Sequence, residues 1–181
     1  TFFNYLVGQR LSIVEDTPGV TRDRIYGETN WRGRNFTIID TGGIEEKKDD
    51  VISTQMRFQA ELAIELADVI VFMTDIVTGI TPADKDIALM LKKSRKPIIL
   101  VCNKVDDFRK MQNEIYEFYN LGLGEPHPIS STNAKGIGDV LDSIYEHLPK
   151  NDEEDVEDEF IKVAVIGKPN VGKSSLINKI L

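Results

Sequence analysis

Phe160-Ile161-Lys162-Val163-Ala164-Val165-Ile166 runs directly into Gly167-Lys168-Pro169-Asn170-Val171-Gly172-Lys173-Ser174, and Ser175–Leu181 continues with helical character. The first seven residues form a mostly apolar run of strand length. The next eight match G-x-x-x-x-G-K-[ST], with a strand before and a helix after, which is the context this pattern requires. The glycines let backbone N–H groups turn toward phosphate oxygens, and the helix N-terminus adds a dipole that favours anions. Lys173 supplies a point charge for β and γ phosphates, and the Ser174 hydroxyl can ligate Mg²⁺. The candidate nucleotide-binding set here is Gly167, Lys168, Pro169, Asn170, Val171, Gly172, Lys173, Ser174 and Ser175. The competing reading is an ordinary glycine-rich turn.

Working outward, Asp68–Thr74 and Ile98–Cys102 are further apolar runs, each the length of a strand covered on both faces. Arg24–Trp31 and Asn35–Asp40 read as two strands around a turn at residues 32–34, where Gly33 supplies the turn residue. Pro128–Ser130 reads as a short strand or strand end. Helices are predicted at Phe2–Val7, Ser53–Leu66, Pro82–Ser94 with Thr81 as N-cap, Phe108–Tyr119 and Ile137–Leu148. Apolar strands alternating with helices imply parallel strands joined by helical crossovers, an α/β layer fold. Ligands in such folds sit at the carboxyl ends of the strands.

Three polar motifs fall at those ends. Asp40-Thr41-Gly42-Gly43 has D-x-x-G spacing, so the Asp can hold Mg²⁺ and the Gly N–H can sense a γ-phosphate. Asn103-Lys104-Val105-Asp106 is N-K-x-D. A carboxylate there can accept both N1–H and the exocyclic amine of guanine, while adenine presents the opposite pattern. The Lys104 stem can cover the base, and Asn103 can tie neighbouring loops together. Ser130-Ser131-Thr132 follows a short strand and can offer backbone donors to a guanine carbonyl. Each motif alone also reads as a common turn. Together with the phosphate loop they read as a guanine-nucleotide site of a GTPase.

Composition narrows the alternatives. The 181 residues include 22 Lys+Arg, 30 Asp+Glu, 41% hydrophobic residues and a single cysteine, Cys102, for a net charge of −8. That composition is globular, and one cysteine excludes an internal disulfide framework. No apolar run approaches the ~20 residues of a membrane span. No signal peptide is visible at Thr1–Arg10, and the chain does not begin with Met, which points to a cut or processed start. A cytoplasmic location is the expectation. Seven acids and no base lie in residues 151–159, so the body is near neutral and the acidic stretch reads as a solvated linker. A body with no dense basic stripe offers no evident nucleic-acid site, and Arg22, Arg24, Arg32 and Arg34 read as solvated strand ends. Trp31, His127, His147 and Cys102 default to packing.

These motifs, with Asp16-Thr17-Pro18-Gly19-Val20-Thr21-Arg22-Asp23 and a second phosphate-loop pattern after an acidic linker, resemble the bacterial tandem-domain GTPases of the Der (EngA) family across essentially the whole chain. The resemblance implies a P-loop NTPase-like three-layer sandwich, GTP/GDP as ligand with Mg²⁺, and GTP hydrolysis coupled to assembly of the large ribosomal subunit. It implies Thr21 as the switch residue closing on Mg²⁺ and γ-phosphate, beside Ser174 and Asp40 as Mg²⁺ residues. Family members carry a hydrophobic residue after D-x-x-G, here Ile44, which cannot polarise water, so catalysis must come from elsewhere. Related GTPases hold K⁺ with a phosphate-loop Asn, and Asn170 matches. Lys173, Thr21 and Asn170 are thus the catalytic candidates.

Aligned on the family, residues 1–148 are expected to form a first G domain without its own opening strand and phosphate loop. Residues 149–159 are expected to be the linker, and residues 160–181 the start of a second G domain. Thr1–Val7 and Ser175–Leu181 then occupy equivalent places in two repeats. The motif order is that of a circular permutant, so strand 160–166 is expected to fill the missing strand position, within the chain or by exchange between chains. The bland alternative is an interrupted sheet with no activity of its own. Other functional alternatives are a nucleotide-switched ribosome-binding module without turnover, and a non-guanine P-loop ATPase, which Asp106 argues against.

Overall fold

The structure, a computed structural model, describes residues 25–40, 54–149 and 161–181. Six strands among them form one sheet. They are β1 (Ile25–Trp31), β2 (Arg34–Asp40), β3 (Val69–Asp75), β4 (Ile98–Asn103), β5 (Pro126–Pro128) and β6 (Ile161–Ile166). The helices are α1 (Thr54–Leu66), α2 (Pro82–Ser94), α3 (Gln112–Glu117), α4 (Ile137–His147) and α5 (Lys173–Ile180).

The spatial order is β1-β2-β6-β3-β4-β5, so the last strand in sequence is central in space. β6 runs parallel to both neighbours, with Ile38 opposite Val163 on one side and Val71 opposite Val165 on the other. β1 alone is antiparallel, forming a hairpin with β2 across Arg32 and Gly33, both at positive φ. The expectation that strand 160–166 fills the gap is met within the chain.

Side-chain alternation explains why β6 fits there. Val163 and Val165 join Val69, Val71 and Met73 on one face, under α4 and α5. Ala164 and Ile166 join Ile70 and Phe72 on the other face, under α1 and α2. Every residue of β3 is buried, as its unbroken apolar run requires. Residues 148–160 separate α4 from β6, and closing a connection of that length costs roughly 2 kcal/mol beyond a constant. Burying Val163, Val165, Ile166, Leu176 and Ile177 returns about 1.5–3 kcal/mol for each large side chain, so insertion into the sheet wins. Asp68 fixes the register: its N–H donates to the Lys162 carbonyl and its Oδ2 accepts from the Lys162 N–H, both at 2.7 Å.

α5 occupies the helix position next to the hairpin. Thr29 Oγ1 donates to the Ile180 carbonyl at 3.1 Å. A Cβ on Gly27 would meet Leu181 Cδ1 at 2.3 Å, so this glycine admits the helix end. The competing segment Thr1–Val7 lies outside the described residues, as does most of the acidic linker. Trp31 packs as expected, with Nε1 donating to Asp142 Oδ1 at 2.7 Å. Arg32 is tied down rather than simply solvated: it pairs with Asp142 Oδ2 at 2.6 Å and lies over the Tyr145 ring.

Helix bounds differ from expectation in one place. The helix expected from Phe108 begins at Gln112, because Asp107 Oδ1 accepts from the N–H groups of Arg109 and Lys110 and holds a turn there. Its last turn tightens into a 3₁₀ helix at Phe118–Leu121, ended by Gly122 at φ +63°.

Candidate nucleotide site

Parallel strands bring their carboxyl ends to one edge of the sheet. Asp40 ends β2, Ile166 ends β6, Asp75 ends β3 and Asn103 ends β4. The phosphate loop leaves β6 between the first and third of these. Gly167 passes close to β3, where a Cβ would meet the Met73 carbonyl oxygen at 2.3 Å. Asn170 and Gly172 take positive φ, +61° and +96°. At Gly172 a Cβ would also lie 2.2 Å from Asn103 Nδ2. The glycines therefore serve strand packing and loop docking as well as backbone turning.

Asn103, fully enclosed, is the junction. Its Nδ2 donates to the Val171 carbonyl at 2.5 Å, and its Oδ1 accepts from Ser131 N–H at 3.0 Å and Ser131 Oγ at 2.9 Å. One side chain thus ties the phosphate loop, the N-K-x-D motif and the Ser130-Ser131-Thr132 loop together. Asp106, exposed to solvent, has its Oδ1 held by Ser130 Oγ at 2.8 Å and Asn133 Nδ2 at 3.0 Å. Val105 is buried and its N–H donates to the Ile129 carbonyl at 2.9 Å, anchoring the motif from below.

Across the loop, Ser174 Oγ donates to Asp40 Oδ2 at 3.1 Å. A hydroxyl and a carboxylate at this spacing are a hard-oxygen pair suited to Mg²⁺. Ser175 is exposed beside it on the first turn of α5. Lys173 is only 5% exposed, and its Nζ donates to the carbonyls of Gly167 and Lys168, both at 2.8 Å. Burial lowers the Lys173 pKa to about 8 against the opposing pull of Asp40. An ammonium held by two neutral carbonyls gains when a phosphate oxyanion replaces them.

Two contacts escaped the sequence reading. Lys104, at φ +68°, places Nζ 2.6 Å from Asp75 Oδ2. Burial works to raise the Asp75 pKa, but hydrogen bonds from Lys104 and the Val77 N–H outweigh it, and the net shift is downward. Lys168 Nζ lies 3.4 Å from Asp84 Oδ2 and 3.3 Å from Thr81 Oγ1. Asp84 is fully buried, caps α2 reciprocally with Thr81, and keeps an Oδ1 without a hydrogen-bond partner. Thr81 was expected as the cap, and the structure adds Asp84 as its reciprocal partner; nothing in the sequence signalled that a phosphate-loop lysine reaches it. Cys102 is inert as expected: burial, with the Asp84 charge adding to it, pushes its thiol up to about 12 although the Thr74 hydroxyl pulls the other way.

Thr21, Thr41, Gly42, Gly43 and Ile44 lie outside the described residues. Pro169 and Thr132 lie within their loops, and neither takes part in the contacts above.

The family model described as "50S ribosome-binding GTPase" matches residues 1–104 and 162–181, the two parts that the sheet interleaves. GTPase Der of Clostridium tetani is 61% identical over all 181 residues, and GTPase Der of Lachnospira eligens is 60% identical over the same length. The chain spans 41% of each of those proteins. Among solved structures, a variant of Era from Aquifex aeolicus bound to GDP and aluminium fluoride superposes with a TM-score of 0.62 at 31% identity, covering 87% of this chain and 55% of that one. The G domain of the T. maritima FeoB iron transporter superposes with a TM-score of 0.57 at 20% identity, covering 81% and 88%, a likeness of fold alone. With its α/β sheet, its strand-end motifs and these matches, the chain belongs to the family of 50S ribosome-binding GTPases.

Proposed function

We propose that this chain holds a guanine nucleotide in a site composed from distant parts of its sequence. Within a protein of its relatives' length, that nucleotide is GTP, hydrolysed in the course of large-ribosomal-subunit assembly. The observation that carries the reading is the Asn103 side chain, which joins the phosphate loop at Val171 to the base-recognition loop at Ser131. A nucleotide's two ends are recognised by those two loops, and one buried amide fixes their spacing.

In this reading the N–H groups of residues 167–174 and the N-terminus of α5 receive the phosphates. Lys173 turns from its loop carbonyls to the phosphate oxygens. Ser174 and Asp40 hold Mg²⁺, which supplies charge neutralisation for the phosphates when bound. Asp106 accepts the two guanine donors, with Ser130 and Asn133 orienting its carboxylate, and the loop at Ser131 and Thr132 faces the guanine carbonyl. Thr21 and the Thr41–Ile44 segment act as the γ-phosphate-sensing parts, and Asn170 holds K⁺. Residues 1–148 act as a G domain that borrows β6 and its loop, 149–159 as linker, and 160–181 as the opening of a second G domain.

A titration of the 181-residue chain with fluorescent GDP and Mg²⁺ tests the site. Saturable binding displaced by GTP and not by ATP is expected. Displacement by ATP as readily as by GTP would assign a different base and remove Asp106 from its role. The K⁺ assignment predicts faster GTP turnover in K⁺ than in Na⁺ for the longer protein, and equal rates remove Asn170 from its role.

A further inference from the structure

Lys104 combines three features that its motif does not require. Its backbone sits at φ +68°, unfavourable for a long side chain and kept only where the surroundings over-determine it. Those surroundings are visible: the Asn103 carbonyl accepts from the Ile76 N–H at 3.1 Å, and the Val105 N–H donates to the Ile129 carbonyl at 2.9 Å. The far end is held as firmly, because Nζ bonds Asp75 Oδ2 at 2.6 Å. Asp75 is itself fixed, 5% exposed at the end of β3 opposite Asn103, with Oδ1 accepting from the Val77 N–H at 2.9 Å. Yet the Lys104 side chain remains 44% exposed. A flexible four-carbon stem is thereby pinned at both ends with one side open to solvent.

From this geometry we infer that Asp75 is a positioning residue for base recognition, holding the aliphatic stem of Lys104 as a preformed platform for the purine plane. The inference rests on the guanine site proposed above. An untethered lysine keeps many rotamers, and a ligand stacking on it must remove part of that freedom. The Asp75 ion pair removes that freedom before the nucleotide arrives, so the ordering cost falls on folding rather than on binding. Asp75 touches no part of the ligand. Its influence passes through Lys104, and it acts on the base end of the nucleotide only.

The test uses the 181-residue chain and its Asp75→Asn, Lys104→Ala and doubly substituted forms. Fluorescent GDP reports the whole site, and inorganic pyrophosphate, as competitor, reports the phosphate end alone. Asp75→Asn is expected to weaken GDP by about tenfold and leave pyrophosphate affinity unchanged. The double variant is expected to bind GDP no more weakly than Lys104→Ala, because the two residues act as one unit. Unchanged GDP affinity in Asp75→Asn overturns the inference, and so does an equal loss of GDP and pyrophosphate, which marks a general structural defect. If the unsubstituted chain binds pyrophosphate but not GDP, the guanine reading fails and the inference with it.

Discussion

The Ser174 hydroxyl donates to Asp40 Oδ2 at 3.1 Å across 134 residues of sequence. One residue opens the last helix and the other ends the second strand, and β6 lying against β2 brings them together, with Asp40 opposite Val165 in the register. Removing either oxygen breaks the candidate Mg²⁺ pair without touching the base end. Ser174→Ala is therefore expected to reduce Mg²⁺ affinity of the GDP complex by about 10- to 100-fold. Titrating Mg²⁺ into the GDP complex and following nucleotide release reads this directly. An unchanged Mg²⁺ midpoint would remove Ser174 from the metal site.

The buried Lys173 makes binding pH-dependent with a defined sign. Its pKa in the empty chain is about 8, chiefly through burial, and phosphate binding favours the charged ammonium. GDP affinity is then greatest below pH 8 and falls as pH rises through that value, by up to about tenfold per unit. Stability of the empty chain moves the other way. Between pH 8 and the unfolded value of 10.5 the unfolded chain binds more protons than the folded one, so the burial penalty is relieved as pH rises. Isothermal titration in two buffers of different ionisation heat at pH 8.5 should show proton uptake on binding, and none in Lys173→Ala.

Lys168 and Asp84 form a link of a different kind. Asp84 is fully buried with one oxygen unpartnered, and Lys168, 17% exposed at its side chain, places its ammonium 3.4 Å from the other. Lys168→Met leaves the carboxylate buried without its counter-charge, at a cost of about 3 kcal/mol. Adding Asp84→Asn removes the stranded charge, so the double variant is expected to be more stable than Lys168→Met alone. Urea unfolding midpoints of the three chains decide it; equal midpoints for single and double variants would show that the ion pair carries no such burden.

At Gly172 two constraints coincide, a φ of +96° and the Asn103 amide 2.2 Å from where a Cβ would stand. Gly172→Ala is expected to destabilise the fold by about 2–3 kcal/mol. It is also expected to lower GDP affinity, since the Asn103 contact to Val171 cannot survive the displacement. The pairing of a stability loss with a binding loss distinguishes it from a surface glycine such as Gly79, around which a Cβ would meet nothing within 4 Å.

The parts of the site that were legible in the sequence are those where a polar motif follows an apolar run. β4 ending in Asn103-Lys104-Val105-Asp106 and β6 ending in Gly167–Ser174 announce both element and edge, because unbroken burial and a strand-end location constrain each other. Strand 160–166 was legible as filling a gap because, aligned on the family, the first G domain lacks its opening strand and the chain supplies an equivalent one after the linker. Asp75 and Asp84 were not legible. A lone acid at a strand end or a helix start has ordinary turn and capping duties, and its lysine partner is fixed only by tertiary placement, 29 residues away for Lys104. The helix expected from Phe108 starts later, at Gln112, because Asp107 competes for the backbone N–H groups of Arg109 and Lys110.

The nucleotide site can form only if β6 is the central strand of this chain's own sheet. Backbone amide exchange of the monomeric chain measures that most directly, at Val163, Val165 and Ile166 against Val71 and Leu100. Protection at the three β6 amides is expected to match that of β3 and β4, because both edges of β6 are hydrogen-bonded to neighbours. Exchange of the β6 amides at the rate of an unstructured peptide, with β3 and β4 still protected, would contradict it.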